Sequence, residues 1–131
     1  MKRTADPLAD ADEHWIQCQI ISVYDQRRVP GTVLYAIPNG GHRDAVTGAR
    51  LKAEGVREGI PDLQAIIGGR HPFIEVKKLK GRLSKAQKKR HAEIREAGGE
   101  VFVTYGFAKT LELIEQLGLI RKASQPFLRA A

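Results

Sequence analysis

The sequence predicts an α/β domain in which a mixed four-stranded sheet is flanked by helices. The apolar runs "DLQAII" (62–67) and "FIEVK" (73–77) are separated by the short turn "GGRHP", a pattern typical of an antiparallel hairpin. A helical pattern and then the strand pattern "EVFVTYG" follow the second run, which is the order of a right-handed βαβ crossover between parallel strands. One antiparallel pair and one parallel pair therefore belong to the same sheet.

Two helices and one strand are predicted before the hairpin. In "DADEHWIQCQIISVYDQRR", apolar residues from Ile16 to Tyr24 recur at helical spacing, and Asp10 or Asp12 can cap the helix start. The strand "TVLYAIPN" ends at a proline and an Asn-Gly-Gly turn. The next segment, "DAVTGARLKAEG", is predicted to be a short helix or partly loop, because its internal glycine weakens the helical pattern.

A helix, a strand and a last helix are predicted after the hairpin. Ser84 and Gln87 have the spacing of a capping box at the start of "SKAQKKRHAEIREAGG", and a Gly-Gly pair ends this helix. The strand "EVFVTYG" and the amphipathic helix "AKTLELIEQLG" complete the fold. We expect residues 1–120 to form one domain and residues 121–131 to be a flexible tail.

The composition indicates a protein with a polyanionic partner. The chain of 131 residues has 22 Lys and Arg against 15 Asp and Glu, with a net charge of +7, and nucleic acid is the commonest polyanion. No apolar run approaches the roughly 20 residues that span a bilayer, and the start of the chain has no apolar signal-peptide region. The single cysteine, Cys18, which we predict to be a small core residue, cannot form an internal disulfide. The expected location is therefore cytoplasmic.

Side-chain alternation predicts a cluster of charges on one face of the hairpin. Glu75 and Lys77 point to the same side of their strand, and a suitable register places Asp62 across from Glu75. Two close carboxylates repel each other unless a cation lies between them, and Mg²⁺ prefers oxygen ligands. Such a metal lowers the pKa of a bound water, and Lys77 can orient that water or stabilise the transition state. This set suits metal-assisted phosphodiester hydrolysis, although an exposed charged strand face without a function is the alternative. Zinc-ligand spacing is absent from the four scattered histidines, which are His14, His42, His71 and His91.

A basic run follows the Glu-x-Lys strand. The segment "KKLKGRLSKAQKKR" contains eight Lys and Arg from Lys77 to Arg90 and no acid, and it includes a predicted helix N-terminus, where free N–H groups favour phosphate. We expect this density of charge to hold a nucleic-acid backbone, with Lys88, Lys89 and Arg90 contributing together. The alternative is a solvated helix face. By its spacing alone, Gln87 is a capping residue.

These motifs are similar to those of a known family. The segments "IPNGGHR", "ARLKAEGVREGIPDL", "IEVKKLKGRLSKAQ" and "REAGGEVFV" together resemble the VRR-NUC (virus-type replication-repair nuclease) domain of the PD-(D/E)xK nuclease superfamily. The resemblance runs from about Glu13 to Tyr105 and implies a restriction-endonuclease-like core. Two positions depart from the family pattern: His42 stands where a lysine is usual, and Gln64 interrupts an apolar strand.

The resemblance also implies roles for individual residues, together with Mg²⁺ or Mn²⁺ as the cofactor. The implied catalytic residues are Asp62, Glu75, Lys77 and Gln87. The implied metal ligands are Asp62, Glu75, the backbone carbonyl of Val76, and Glu13. Arg43 and Arg50 precede the Pro-Asp motif, where they could contact phosphate or be plain surface charge. With the basic run, the expected DNA-binding set is Arg43, Arg50, Lys78, Lys80, Arg82, Lys85, Lys88 and Lys89.

The chain is as short as stand-alone phage and bacterial members of this family. The resemblance implies a homodimeric endonuclease of branched DNA, such as a Holliday junction, in a bacterial cell or a phage-infected host. A symmetric junction suits a two-fold enzyme, and either the first or the last helix could form the dimer surface. One alternative is a nuclease for flaps or for single-stranded or foreign DNA. Another is a non-catalytic DNA-binding accessory protein, which the intact Asp62, Glu75 and Lys77 set disfavours. An RNA-binding module is disfavoured because only 6% of the residues are aromatic.

Overall fold

The computed structural model describes residues 11–38 and 44–122, and these residues form four helices and four strands. The helices are α1 (Glu13–Arg27), α2 (Ala45–Ala53), α3 (Lys85–Glu96) and α4 (Phe107–Gln116). The strands are β1 (Val33–Ala36), β2 (Leu63–Ile66), β3 (Phe73–Lys77) and β4 (Val101–Tyr105). The tail predicted for 121–131 lies outside the described residues except for its first two positions.

The strands form one mixed sheet in the order β1-β2-β3-β4. The predicted hairpin is confirmed, because β2 and β3 are antiparallel with Gln64 opposite Phe73. The crossover through α3 is also confirmed, since β3 and β4 are parallel with Glu75 beside Val103. The first strand pairs antiparallel with β2 and places Tyr35 opposite Gln64. The predicted α/β fold class is therefore correct.

One face of the sheet carries the hydrophobic core. Helices α1 and α4 pack against each other, and they cover this face at β3 and β4 respectively. Burying each large aliphatic side chain contributes about 1.5–3 kcal/mol, so this layer supplies much of the stability that fixes β3 in place. The buried cluster consists of Ile16, Ile20, Tyr24, Leu34, Leu63, Ala65, Ile74, Val76, Leu113, Ile114, Leu117, Leu119 and Ile120.

Cys18 is exposed on α1, so the prediction that it is a small core residue was wrong. The buried residues of α1 are Ile16, Ile20 and Tyr24, which are four positions apart and share one side of the helix. Each residue advances about 100° around a helix, and position 18 therefore points away from that side. Its Sγ atom lies 3.5 Å from Nε2 of His14, one turn earlier on the exposed surface.

Side-chain caps fix where three of the helices begin. Asp12 accepts a hydrogen bond from the backbone of Trp15 at the start of α1, and Asp44 does the same from Thr47 at the start of α2. The capping box predicted for α3 is confirmed in both directions. The segment that was predicted as helix or partly loop is a regular helix, α2, despite Gly48.

Helix α3 covers the other face of the sheet, where the side chain of His91 contacts Glu75. The loop before β2 is pressed against the first turn of α3 at Gly59. A Cβ atom at Gly59 would lie 2.2 Å from the carbonyl oxygen of Ala86, and φ at this glycine is +77°. Only glycine fits such a close approach, which brings the Pro-Asp segment beside the start of α3. Within the described residues, no helix is long and apolar enough to cross a membrane.

Candidate metal and nucleic-acid site

Asp62 is held against β3 by a backbone hydrogen bond. Its Oδ2 atom accepts from the backbone N–H of Val76 at 2.8 Å, and its own carbonyl accepts from Ile37 at 2.8 Å. The aspartate precedes β2 by one residue, and the hairpin register of Leu63 with Ile74 therefore puts it next to Glu75. The structure therefore places the carboxylates of Asp62 and Glu75 close together, as the sequence predicted.

Glu75 is the most deeply buried charged residue of the described part of the chain, with 1% of its surface exposed. The alternative of an exposed charged strand face is therefore wrong. Two side chains of α3 contact its carboxylate: Nε2 of His91 lies 3.0 Å from Oε1, and Nε2 of Gln87 lies 3.4 Å from Oε2. Burying an acid costs free energy unless it is neutralised and hydrogen-bonded, so this arrangement favours a function over a purely structural role.

Burial, followed by the hydrogen bond and charge of Asp62, raises the pKa of Glu75 from 4.5 to about 9. Lys77 opposes this shift, and Glu13 adds to it. Without a further cation, the Asp62–Glu75 pair therefore retains a proton at neutral pH. A buried pair of carboxyl groups that cannot both be ionised without a further cation is a donor set that a hard divalent cation fits.

Lys77 is buried as well, with 6% of its surface exposed. Its Nζ atom lies 3.2 Å from Oε1 of Gln87 and 3.6 Å from Oε2 of Glu13. The same oxygen of Gln87 accepts a hydrogen bond from the backbone N–H of Ser84 at 2.9 Å. The capping role of Gln87 is therefore confirmed, and the same side chain also contacts Lys77 and Glu75. Its catalytic role stays a prediction.

Glu13, the first residue of α1, reaches the end of β3 from the opposite face of the sheet. In addition to Lys77, its Oε2 atom lies 3.4 Å from the backbone nitrogen of Lys78. Across residues 11–38 and 44–122, no three His, Cys, Asp or Glu side chains converge closely enough to hold a metal ion. The carboxylates of Asp62 and Glu75 could hold one together with a backbone carbonyl, while the ligand role of Glu13 stays a prediction.

His91 is a part of this site that the sequence did not indicate. Desolvation, followed by the charge of Arg95, lowers the pKa of His91, so its contact with Glu75 is a neutral hydrogen bond rather than an ion pair. The usable signal was its spacing: His91 lies four residues after Gln87 and therefore on the same side of the helix. Scanning the histidines for zinc-ligand spacing could not detect this relationship.

The predicted DNA-binding residues in the described part of the chain are all exposed. In that part, none of their side chains forms an ion pair. Arg43 lies outside the described residues. The described members are Arg50, Lys78, Lys80, Arg82, Lys85, Lys88 and Lys89.

A basic groove of about 690 Å³ lies between α2 and α3. Lys52 and Arg57 line it together with Lys89, and the sequence had not singled out the first two. Arg90 also lines the groove, but its guanidinium is tied to the carbonyl of Glu58 at 2.9 Å and to a carboxylate oxygen of Glu93 at 2.7 Å. Arg90 therefore differs from the lysines that are predicted to contact phosphate, because its guanidinium anchors the loop at Glu58.

A mixed sheet that brings Pro-Asp, Glu-x-Lys and a helix-borne glutamine together defines a nuclease-type α/β core. The family model described as VRR-NUC domain matches residues 20–108, which is more than half of the chain, and the chain belongs to this family. The predicted family and the predicted nuclease fold are thus confirmed.

The solved structures that are similar to this fold include two from the same family. One, described as a VRR_NUC domain protein, has 23% sequence identity to this chain and a TM-score of 0.68. The alignment covers 82% of this chain and 88% of the other chain. Another, described as a VRR_NUC domain, has 26% sequence identity and a TM-score of 0.55. That alignment covers 79% of this chain and 94% of the other chain. Comparison with curated proteins found no match.

Proposed function

We propose that the protein is a Mg²⁺- or Mn²⁺-dependent endonuclease that hydrolyses phosphodiester bonds in branched DNA. The observation that carries this proposal is the burial of Glu75 and Lys77 beside Asp62. A fold of this size gains nothing in stability from burying an acid and an amine that could have been apolar. The free-energy cost of burying Glu75 and Lys77 is explained if these charged groups act on a substrate.

The metal would be held by Asp62, Glu75 and the backbone carbonyl of Val76, with Glu13 as an additional ligand. A divalent cation would replace the proton that Glu75 otherwise keeps. When bound, such an ion lowers the pKa of a water molecule and neutralises charge on the phosphate. Asp62 is preorganised for this role, because the hydrogen bond from the backbone N–H of Val76 fixes one of its oxygens beside Glu75.

Lys77 is the group that acts on the reacting atoms. Its ammonium is desolvated, so it interacts more strongly with negative charge developing on the phosphate than a surface lysine does. Gln87 and Glu13 hold Nζ from two sides and limit its positions. Such positioning accounts for a large share of catalysis, since misplaced groups lose much of their effect. We therefore assign the catalytic set to Asp62, Glu75, Lys77 and Gln87.

DNA would lie along the basic surface that begins at Lys78 and continues over α3. Its exposed lysines and arginines supply sequence-independent attraction to phosphates. The groove lined by Lys52, Arg57 and Lys89 extends this surface towards α2. A row of exposed cations along the chain after Lys77 suits a polymer that is held over several phosphates and cut within its length, which is why we propose an endonuclease.

The preference for branched DNA and the homodimer are supported by the resemblance to the VRR-NUC family. A two-fold assembly presents two sites to the two strands of a symmetric junction. Measuring the mass in solution by size exclusion with light scattering tests the dimer. A monomer at all concentrations would remove the paired-cut mechanism and leave single nicks.

The test of the function is a cleavage assay on four-way, flap, single-stranded and linear duplex DNA with Mg²⁺, Mn²⁺ or EDTA. We expect metal-dependent cutting that is fastest on the four-way junction. Faster cutting of flaps or single strands would favour those substrates instead. The variants Glu75→Ala and Lys77→Met should lose cleavage and keep junction affinity, because binding comes from many surface cations. Junction binding without cleavage by the wild type would indicate a non-catalytic accessory protein.

A further inference from the structure

We infer that His91 is a positioning residue, which donates a hydrogen bond from Nε2 to Oε1 of Glu75 and so orients that carboxylate for the metal. This inference rests on the proposed function, because it assigns a role towards the ion that Glu75 would hold. It concerns a residue of the helix layer that has no contact with solvent.

The geometry gives each oxygen of Glu75 one donor. Nε2 of His91 lies 3.0 Å from Oε1, and Nε2 of Gln87 lies 3.4 Å from Oε2. Positions 87 and 91 are one helical turn apart, so both donors project from α3 onto β3. Both His91 and Glu75 are 1% exposed, which excludes water as a competitor for this contact.

The direction of the hydrogen bond follows from the other ring nitrogen. Nδ1 of His91 is buried and has no hydrogen-bond partner among the described residues. A buried N–H without a partner is rarer in proteins than an unpaired acceptor, so the proton of a neutral ring belongs on Nε2. His91 is therefore the donor and Glu75 the acceptor.

This arrangement leaves part of the carboxylate available. Once a cation has displaced the proton that Glu75 shares with Asp62, the ionised carboxylate offers about four lone-pair directions over its two oxygens, and the donors from His91 and Gln87 occupy two of them. The remaining directions can bind a cation. Because His91 and Gln87 already fix the side chain of Glu75, binding of the ion does not have to order it. Neutral donors have the further advantage that they do not compete with the ion as another positive charge would.

The experiment measures Mn²⁺ affinity of the DNA-free protein by isothermal titration calorimetry in three variants. His91→Phe keeps a ring but removes the donor, whereas His91→Gln keeps an amide donor near the position of Nε2. Ile94→Ala, on the same helix, loosens packing against Gly99 without touching Glu75. We expect Mn²⁺ binding to weaken about 10- to 100-fold in His91→Phe, as when partners of metal ligands are removed elsewhere. His91→Gln and Ile94→Ala should stay within a few-fold of the wild type.

Other outcomes separate this inference from the function it rests on. Unchanged Mn²⁺ affinity in His91→Phe would overturn the positioning role and leave the nuclease proposal standing. Equal weakening in His91→Phe and Ile94→Ala would also overturn it, since packing would then explain both. A wild-type protein that binds no Mn²⁺ would overturn the function and this role together.

A second measurement does not depend on the stability of any variant. Nitrogen-15 NMR of the imidazole in the wild-type, metal-free protein distinguishes which ring nitrogen carries the proton. We expect Nε2 of His91 to be protonated and Nδ1 to be unprotonated. A proton on Nδ1 alone would overturn the inference, because Nε2 could then only accept.

Discussion

The side-chain oxygen of Gln87 lies 3.2 Å from Nζ of Lys77 and also accepts the backbone N–H that begins α3. One amide therefore joins the start of a helix to the lysine of the Glu-x-Lys motif. Because the other end of the amide contacts Glu75, a change in Gln87 should affect stability and chemistry together. The two effects can be separated with the neighbouring cap residue.

The first prediction compares Gln87→Met with Ser84→Ala. Ser84→Ala removes the hydroxyl that caps the backbone of Gln87 and should lower stability by about 1 kcal/mol while leaving kcat near the wild-type value. Gln87→Met removes the contacts with Lys77 and Glu75 and should lower kcat roughly 10- to 100-fold. Urea unfolding and steady-state cleavage at saturating DNA measure the two quantities. Equal kcat values in both variants would show that Gln87 only caps the helix and does not contribute to catalysis.

The second prediction concerns the close approach of Gly59 to α3. In Gly59→Ala, the new methyl would lie 2.2 Å from the carbonyl oxygen of Ala86 at a φ of +77°. Left-handed backbone costs an L-residue about 1–2 kcal/mol, and the overlap adds about 1–3 kcal/mol. Urea unfolding should show a loss of this combined size, and the cleavage rate should fall because the Pro-Asp loop moves.

Gly48→Ala is the matched control for that substitution. A Cβ atom at Gly48 meets nothing within 4 Å, and the residue lies inside α2. Alanine should therefore stabilise the protein by about 0.5–1 kcal/mol. A similar destabilisation in both variants would show that general sensitivity to alanine, rather than contact with α3, decides the result.

The sequence was sufficient to predict most of the fold because its local signals agree with one another. "FIEVK" coincides with β3, and Ser84 with Gln87 predicts the start of α3, since each pattern depends on residues close in the chain. His91 was missed because its contact depends on how α3 rotates over the sheet. That helix has few apolar residues to define its inner side, and only packing decides which side chains meet Glu75.

Surface charges show the same limit in another form. The density of charge along the chain grouped Arg90 with Lys88 and Lys89. In the structure the two lysines are exposed, whereas the side chain of Arg90 is bound to protein groups. Arg90 contacts the carbonyl of Glu58, which is 32 residues earlier, and no local pattern contains that information. For the same reason, no local pattern groups Lys52 and Arg57 with α3. They line the same groove as Lys89 only because the chain between α2 and α3 folds back.

The third prediction concerns pH. Burial raises the pKa of Glu75 to about 9, whereas an unfolded glutamate titrates near 4.5. Between these values the native state binds more protons than the unfolded state, so the free energy of unfolding falls as pH rises through this window. In EDTA, Glu75→Gln should therefore melt higher than the wild type at pH 8, by several degrees, and differ little near pH 4.

Metal binding should reverse the order of the two proteins. Mg²⁺ or Mn²⁺ competes with the proton on Glu75, so the rise in Tm of the wild type on adding metal should be larger at pH 8 than at pH 6. Glu75→Gln should show almost no rise at either pH. A pH-independent metal effect in the wild type would mean that Glu75 is not a ligand.

The fourth prediction separates the cations of α3 by the salt dependence of DNA binding. Lys88 and Lys89 are exposed, whereas Arg90 is tied to Glu58 and Glu93. Each phosphate contact contributes about 0.9 to the slope of log K against log salt concentration. The double variant Lys88→Gln/Lys89→Gln should therefore flatten the slope by about 2, as measured by fluorescence anisotropy on a catalytically inactive Glu75→Ala background.

Two single variants control for the loss of charge itself. Arg90→Gln should lower the unfolding temperature, because the loop at Glu58 loses its anchor, but it should leave the salt slope unchanged. Lys109→Gln, on α4 at the opposite face of the sheet, removes one exposed cation and should change neither quantity. If Lys109→Gln flattens the slope as much as Lys89→Gln does, net charge rather than the α3 surface attracts the DNA. A flatter slope in Arg90→Gln alone would show that its guanidinium leaves Glu58 and contacts phosphate when DNA binds.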